Sequence, residues 1–154
     1  YPRPYATKYN SSNVGTFPVV IGEDGLGQTI LFEQETGTDQ INPDGTTTAL
    51  TSFVQSFNFS LQKDQSEVFL AMRRFLPNFK VLTGSNQVTI GVSNWPSEAA
   101  SQSTYSPFTI LPDTQYKSTR ARGRYANIKI ENINVGENWR FGTFQVDIQP
   151  DGRR

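Results

Sequence analysis

Hydrophobic residues along this chain recur in short runs with a period of two. Phe53, Phe57, Phe59 and Leu61 share one parity while Ser56, Asn58, Ser60 and Gln62 share the other, the pattern of a half-buried strand. Val88, Ile90 and Val92 alternate with Thr89, Gly91 and Ser93, and Phe144, Val146 and Ile148 alternate with Gln145, Asp147 and Gln149. Val19 to Ile21 and Thr29 to Phe32 are β-branched runs around the turn-rich Gly22 to Gly27, which predicts a hairpin. Phe108 to Leu111 predicts a further short strand before Pro112.

Two segments are less regular. In Ser66 to Phe79, the residues Val68, Phe69, Met72, Phe75 and Leu76 also fit a helical spacing with Ser66 as cap, but a strand is preferred among neighbours that are strands, with Pro77 ending it. Tyr116 to Ile133 and Trp139 to Gln149 read as two longer strands joined by Asn134 to Asn138. In the first, Arg120, Arg122 and Arg124 share parity with Ala126, Ile128 and Ile130, so one face changes from charged to buried. Either the strand leaves the core midway or Gly123 marks a bulge that flips the phase. Residues 1–16, with Pro2, Pro4 and three Tyr but no periodicity, read as an extended arm or linker. The expected fold is all-β: an antiparallel β-sandwich of about seven or more strands over residues 17–154. The chain opens at Tyr1 and is expected to be the C-terminal part of a larger protein.

Composition narrows the chemistry. The 154 residues contain no His and no Cys, which excludes Ser-His and Cys-His nucleophiles, thiolate zinc sites and disulfides. Catalysis would need carboxylates or an oxygen-ligated metal; neither a metal nor a cofactor is expected. Ser, Thr, Asn and Gln make up 51 residues while only 18% are charged, a polar but weakly charged surface suited to burial against other protein. No run approaches a membrane span.

The net charge of zero is unevenly distributed. Residues 1–70 hold three basic and eight acidic side chains, and residues 71–154 hold eleven and six. This polarity suits head-to-tail or ring contacts between copies; self-solvation of each half is the simpler reading. Lys117, Arg120, Arg122, Arg124 and Lys129 form a basic run without an acid. Alternate arginines on a strand project about 6.6 Å apart. Three readings follow, in order of preference: carboxylates of an adjacent protein chain, a solvated face, and a nucleic-acid backbone, for which Tyr125 is the one ring within the run.

Other candidates are weaker. Glu33 and Glu35 share a strand face and sketch a glycosidase-like carboxylate pair, but such spacing is common. Asp147 with Asp151, or Glu23 with Asp24, lack the spacing of a calcium loop. Trp95 and Trp139, with Tyr105, Tyr116 and Tyr125, allow a sugar-stacking platform, though such rings more often anchor cores or interfaces. Asn10 and Asn58 head glycosylation triplets that read as chance matches.

The ordered set Arg120-Ala121-Arg122-Gly123-Arg124, Trp139-Arg140-Phe141-Gly142-Thr143 and Asp147 to Arg154 (DIQPDGRR) resembles the closing segment of the tail nozzle, or tail tubular, proteins of short-tailed bacteriophages. Phe32 to Gly37, Phe53 to Leu61 and Arg73 to Phe79 are similar to that family's order of features, so the resemblance runs from Thr29 to Arg154. Asn78 stands where an acidic residue is expected after Pro77, and no ionic role carries over to it. The resemblance implies a structural subunit of a sixfold ring in the virion tail through which the genome leaves. The implied partners are identical copies, adaptor and fibre or spike proteins, and passing DNA; no active site is implied. Arg120, Arg122, Arg124, Trp139, Arg140, Arg153 and Arg154 are then interface or backbone-contact candidates, with Trp95 and Tyr125 as aromatic anchors. Arg153 and Arg154, at an end that would otherwise fray, are expected to pair with acids on a neighbour. A carbohydrate-binding sandwich for host attachment and a carboxylate-based glycosidase are the alternatives.

Overall fold

The structure, a computed structural model, describes residues 6–11, 15–23, 26–33, 37–42, 44–61, 68–95 and 103–153. The chain is all-β, with no helix among these residues, and divides into compact units Tyr1–Thr48 and Ala49–Arg154. In the first, β1 (Ala6–Ser11), β2 (Gly15–Glu23) and β3 (Thr29–Glu33) form an antiparallel meander, and β4 (Asp39–Ile41) pairs with β5 (Thr47–Ala49). The expected hairpin around Gly22 to Gly27 is therefore present, with Gly22 opposite Ile30. Part of the segment expected as an arm is a strand: β1 pairs with β2 from Ala6↔Val20 to Ser11↔Gly15. The boundary between the compact units falls between Thr48 and Ala49.

The second unit contains β6 (Ser52–Gln55), β7 (Val68–Thr83), β8 (Asn86–Ser93), β9 (Ser103–Thr104), β10 (Phe108–Ile110), β11 (Lys117–Gly123), β12 (Tyr125–Asn132) and β13 (Asn138–Arg153). One sheet has the order β10-β8-β12-β6, with β9 also on β8; the other has the order β11-β7-β13. Their apolar sides share one core: Leu70, Met72, Phe75 and Ala121 from the second sheet, with Val88, Ile90, Val92, Ile110, Ala126, Ile128 and Ile130 from the first. This sandwich-like arrangement realises the alternation seen at Val88, Ile90 and Val92. Each large aliphatic or Phe side chain buried there contributes about 1.5–3 kcal/mol. Asn86 is fully buried in the same layer, and its carboxamide has no hydrogen-bond partner among the described residues.

Bulges explain where the simple alternation fails. Against β13, register moves from Asp147↔Arg74 to Ile148↔Met72, so Arg73 is an extra residue in β7. Met72 and Phe75, three apart, thereby both reach the core, and the helix-like spacing of this segment is a strand with a phase change. β7 also runs through Pro77 to Thr83, contrary to the expected stop. Its pairing with β11 ends at Lys117↔Phe75, so Pro77 sits where β7 keeps only β13 as neighbour and a missing N–H is tolerated.

The Phe53 to Leu61 strand is corrected more strongly. Only Ser52–Gln55 is strand, followed by a bridge at Phe59↔Ala126. The Ser56 N–H donates to Ile128 O and the Phe59 N–H to Ala126 O, at 2.9 and 2.8 Å. Three steps on this side match two on β12: Phe53 and Phe57 share the outer face, 66% and 96% exposed, and the extra residue brings Phe59 onto the core.

Tyr116 to Ile133 is likewise two strands, one in each sheet. Ala121 and Gly123 are buried on one side of Arg124, and Ala126, Ile128 and Ile130 on the other, so the phase flips where the chain changes sheet. Gly123 is required by close approach: an added Cβ would lie 2.8 Å from Val92 Cβ, 3.1 Å from Tyr125 O and 3.2 Å from Ser93 O. Gly123→Ala is therefore expected to lower unfolding free energy by about 1–3 kcal/mol. Equilibrium denaturation with urea measures it, and an unchanged midpoint would refute this account of the corner.

Candidate interaction surfaces

The change of sheet places charged and aromatic residues at one corner. The Arg122 guanidinium lies over the Phe69 ring, 4.3 Å from its centroid, and the Arg124 guanidinium lies 5.3 Å from the same ring and 5.8 Å from that of Trp95. Arg122 Nε donates to Asp151 Oδ2, Nη2 donates to Asp151 O at 3.3 Å, and the Arg122 backbone N–H donates to the Tyr105 hydroxyl at 3.3 Å. Asp151 reaches this position from a bulge. Register on β13 shifts between Pro150↔Leu70 and Arg153↔Val68, and Gly152 takes φ +76°. Trp95 remains 56% exposed.

The basic run thus does not form one continuous face. Arg120 and Arg122 are exposed on β11, Arg124 is half-buried at the bend, and Lys129 belongs to the other sheet. There Lys129 Nζ donates to Glu131 Oε2 at 2.6 Å and lies 5.1 Å from the Phe53 centroid. Within the chain, the carboxylate that Arg122 engages is that of Asp151. Arg74 repeats the motif on β7: Nη2 donates to Asp147 Oδ2 at 3.1 Å, and the guanidinium lies 6.0 Å from the Tyr116 centroid. Tyr125 is half-buried opposite Ser93; the rings under the guanidinium groups are Phe69 and Trp95, which are remote in sequence.

Trp139 and Arg140 lie at the other end of β13, on the order of 30 Å of strand from Asp151. Trp139 packs edge-on against Phe79 and Phe141, with centroids 6.0 and 6.5 Å away, and Nε1 donates to Ser52 Oγ at 3.0 Å. It is an internal anchor rather than a surface platform, while Arg140 is exposed. The backbone of Arg153 is paired with Val68, so the strand continues further than a frayed end would; Arg154 lies outside the described residues. Glu33 is in β3 opposite Val19, and Glu35 lies outside the described residues. Asn58 accepts a hydrogen bond from Asn127 Nδ2 at 2.8 Å. Among the described residues, no group of three or more carboxylates converges on a point, and no helix is long and apolar enough to cross a membrane.

Near the Trp139 end, sequence reasoning missed Glu137. Its carboxylate is buried in the β12–β13 connection and accepts five hydrogen bonds. Ser85 N and Oγ donate to Oε1 at 3.2 and 2.6 Å, as does Asn134 Nδ2 at 2.8 Å. Ile133 N and Asn134 N donate to Oε2 at 2.9 and 2.8 Å. Burial raises the pKa of this group, but the bonds from Asn134, Ser85 and Ile133 outweigh it and lower the value from 4.5 to about 2. One carboxylate thereby joins the β7–β8 turn to the β12–β13 connection.

No family model matches the chain, and no curated protein matches it in sequence.

Because the folded pKa of Glu137 is depressed, its stabilising effect is fully present above 4.5 and is lost as pH falls from 4.5 through about 2. Denaturation of the wild type across that window is expected to lose on the order of 2–3 kcal/mol from this group. Glu137→Gln should remove that contribution from the acid limb, whereas Asp151→Asn, in a half-exposed ion pair, should cost less than about 1 kcal/mol at neutral pH. Equal effects of the two substitutions would contradict the assignment.

Proposed function

We propose that the chain is a structural subunit of a bacteriophage tail, part of a nozzle ring that forms the genome-ejection channel. It works through contacts with identical copies, a hexamer being the expected ring, and with adaptor and fibre or spike proteins; DNA passing the ring makes non-specific contacts. Its place is the virion, and its role needs no bond-making step.

The observation that carries this reading is the union of the two motifs behind the resemblance. Arg122 of the RxRGR segment and Asp151 of the DGRR segment meet over Phe69, and the pair closes one end of a strand sandwich. Two of the segments that carry the resemblance, far apart in sequence, therefore act together as a joint. Exposed apolar side chains such as Phe57, Trp95, Leu111 and Val135 are available for contact with other protein. The glycosidase alternative rests on Glu33 and Glu35, of which Glu35 lies outside the described residues.

A carbohydrate-binding reading keeps one supporting feature, the exposed Trp95. A glycan array separates the two. The subunit reading expects no selective signal that disappears in Trp95→Ala, and electron micrographs of the full-length protein are expected to show closed rings. Single particles with no symmetry, together with Trp95-dependent glycan binding, would overturn it.

A further inference from the structure

The two compact units carry opposite charge. Residues 1–48 hold two basic and six acidic side chains, and residues 49–154 hold twelve and eight. Among the first unit's described side chains, Val20 is the one buried hydrophobic. Small sheets need an apolar face covered to be stable in water. In β2 and β3, Ile21 stands directly opposite Leu31, and the two are 50% and 64% exposed. Directly opposed residues share a face, so the pair makes one uncovered apolar centre. Glu23, two residues from Ile21 and itself exposed, borders it on one side, and Glu33 lies two residues beyond Leu31 in β3.

The second unit presents the converse surface. Arg120 and Arg122 are exposed on β11, with Trp95 exposed beside the Arg124 guanidinium. Arginines accompany an exposed aromatic ring here, Arg122 being paired with Asp151 of its own chain, as Glu23 borders an aliphatic pair there.

We propose that the Ile21–Leu31 face of one copy docks on the Arg120, Arg122 and Trp95 surface of a neighbouring copy, with Glu23 toward the arginines. The proposal rests on the subunit reading and names the contact. Apolar centres supply affinity while the charged rims set register and speed encounter. Because the two faces differ, the contact is head-to-tail, and every copy offers one of each, the arrangement that generates rings when the rotation closes. Charge complementarity selects a second copy as occupant: identical molecules bring the acidic and basic faces together in equal number.

Sedimentation velocity of the full-length protein at low and high salt tests this, using Glu23→Arg, Arg120→Glu and the double charge swap, with circular dichroism to show that each folds. Both positions are exposed, so folding is expected to be unchanged. Each single variant should raise the concentration for half-assembly at least about tenfold at low salt, less at high salt, and the double swap should recover most of the loss. Assembly unchanged in all three variants would overturn the contact and leave the subunit reading standing. A double swap no better than the singles would also overturn the contact. A wild-type protein that stays monomeric throughout would overturn both.

Discussion

A single run of chain has to serve two sheets. Lys117–Gly123 forms the edge of the three-stranded sheet, and Tyr125–Asn132 lies inside the other, with Arg124 alone between them. The backbone at Gly123 passes so near Val92 and Ser93 that no side chain fits, and the buried parity changes from odd to even across the bend. That constraint brings the two halves of the core face to face. It also turns Arg122 outward and sets Arg124 between Phe69 and Trp95, so the packing of the sandwich and the composition of its corner have one origin.

Two clamps work at opposite ends of this arrangement by different physics. At the corner, Arg122 holds Asp151 and covers Phe69 in a half-exposed setting, where solvent screens the ion pair and the stacked ring area matters more. At the far end, Glu137 is buried and fully hydrogen-bonded, so its charge is stabilised by N–H and O–H donors rather than by a cation. The first geometry suits a surface that meets other molecules; the second suits a fixed joint between loops.

Much of the fold was legible in sequence because burial on one face leaves a period-two imprint. Val88, Ile90 and Val92 carried it without interruption, and the turn at Gly22 to Gly27 announced its hairpin. The imprint misled wherever a bulge inserted a residue. From Ser56 to Gln62 the alternation is regular, yet the extra residue between Ser56 and Phe59 leaves Phe57 in solvent while Phe59 packs on the core. Arg73 does the opposite in β7, making a strand look helical. For the corner, the Gly123 anomaly was visible but the partners of Arg122 and Arg124 were not. Phe69, Trp95 and Asp151 are brought there by pairing between distant strands, and nothing in local spacing encodes it. Glu137 left no signal either: two of its five donors belong to Ser85, 52 residues away, and join local ones from Ile133 and Asn134.

Work by surface rather than by reaction requires that residues 49–154 hold the core while residues 1–48 depend on a neighbour for cover. Amide hydrogen exchange on the full-length protein, diluted to monomer and then assembled, addresses that directly. The account predicts slow exchange at Leu70–Phe75, Val88–Val92 and Ala126–Ile130 in both states, with Val20–Glu23 and Thr29–Glu33 fast in the monomer and protected only on assembly. Protection of those two segments at monomer dilution equal to that of the core would contradict it.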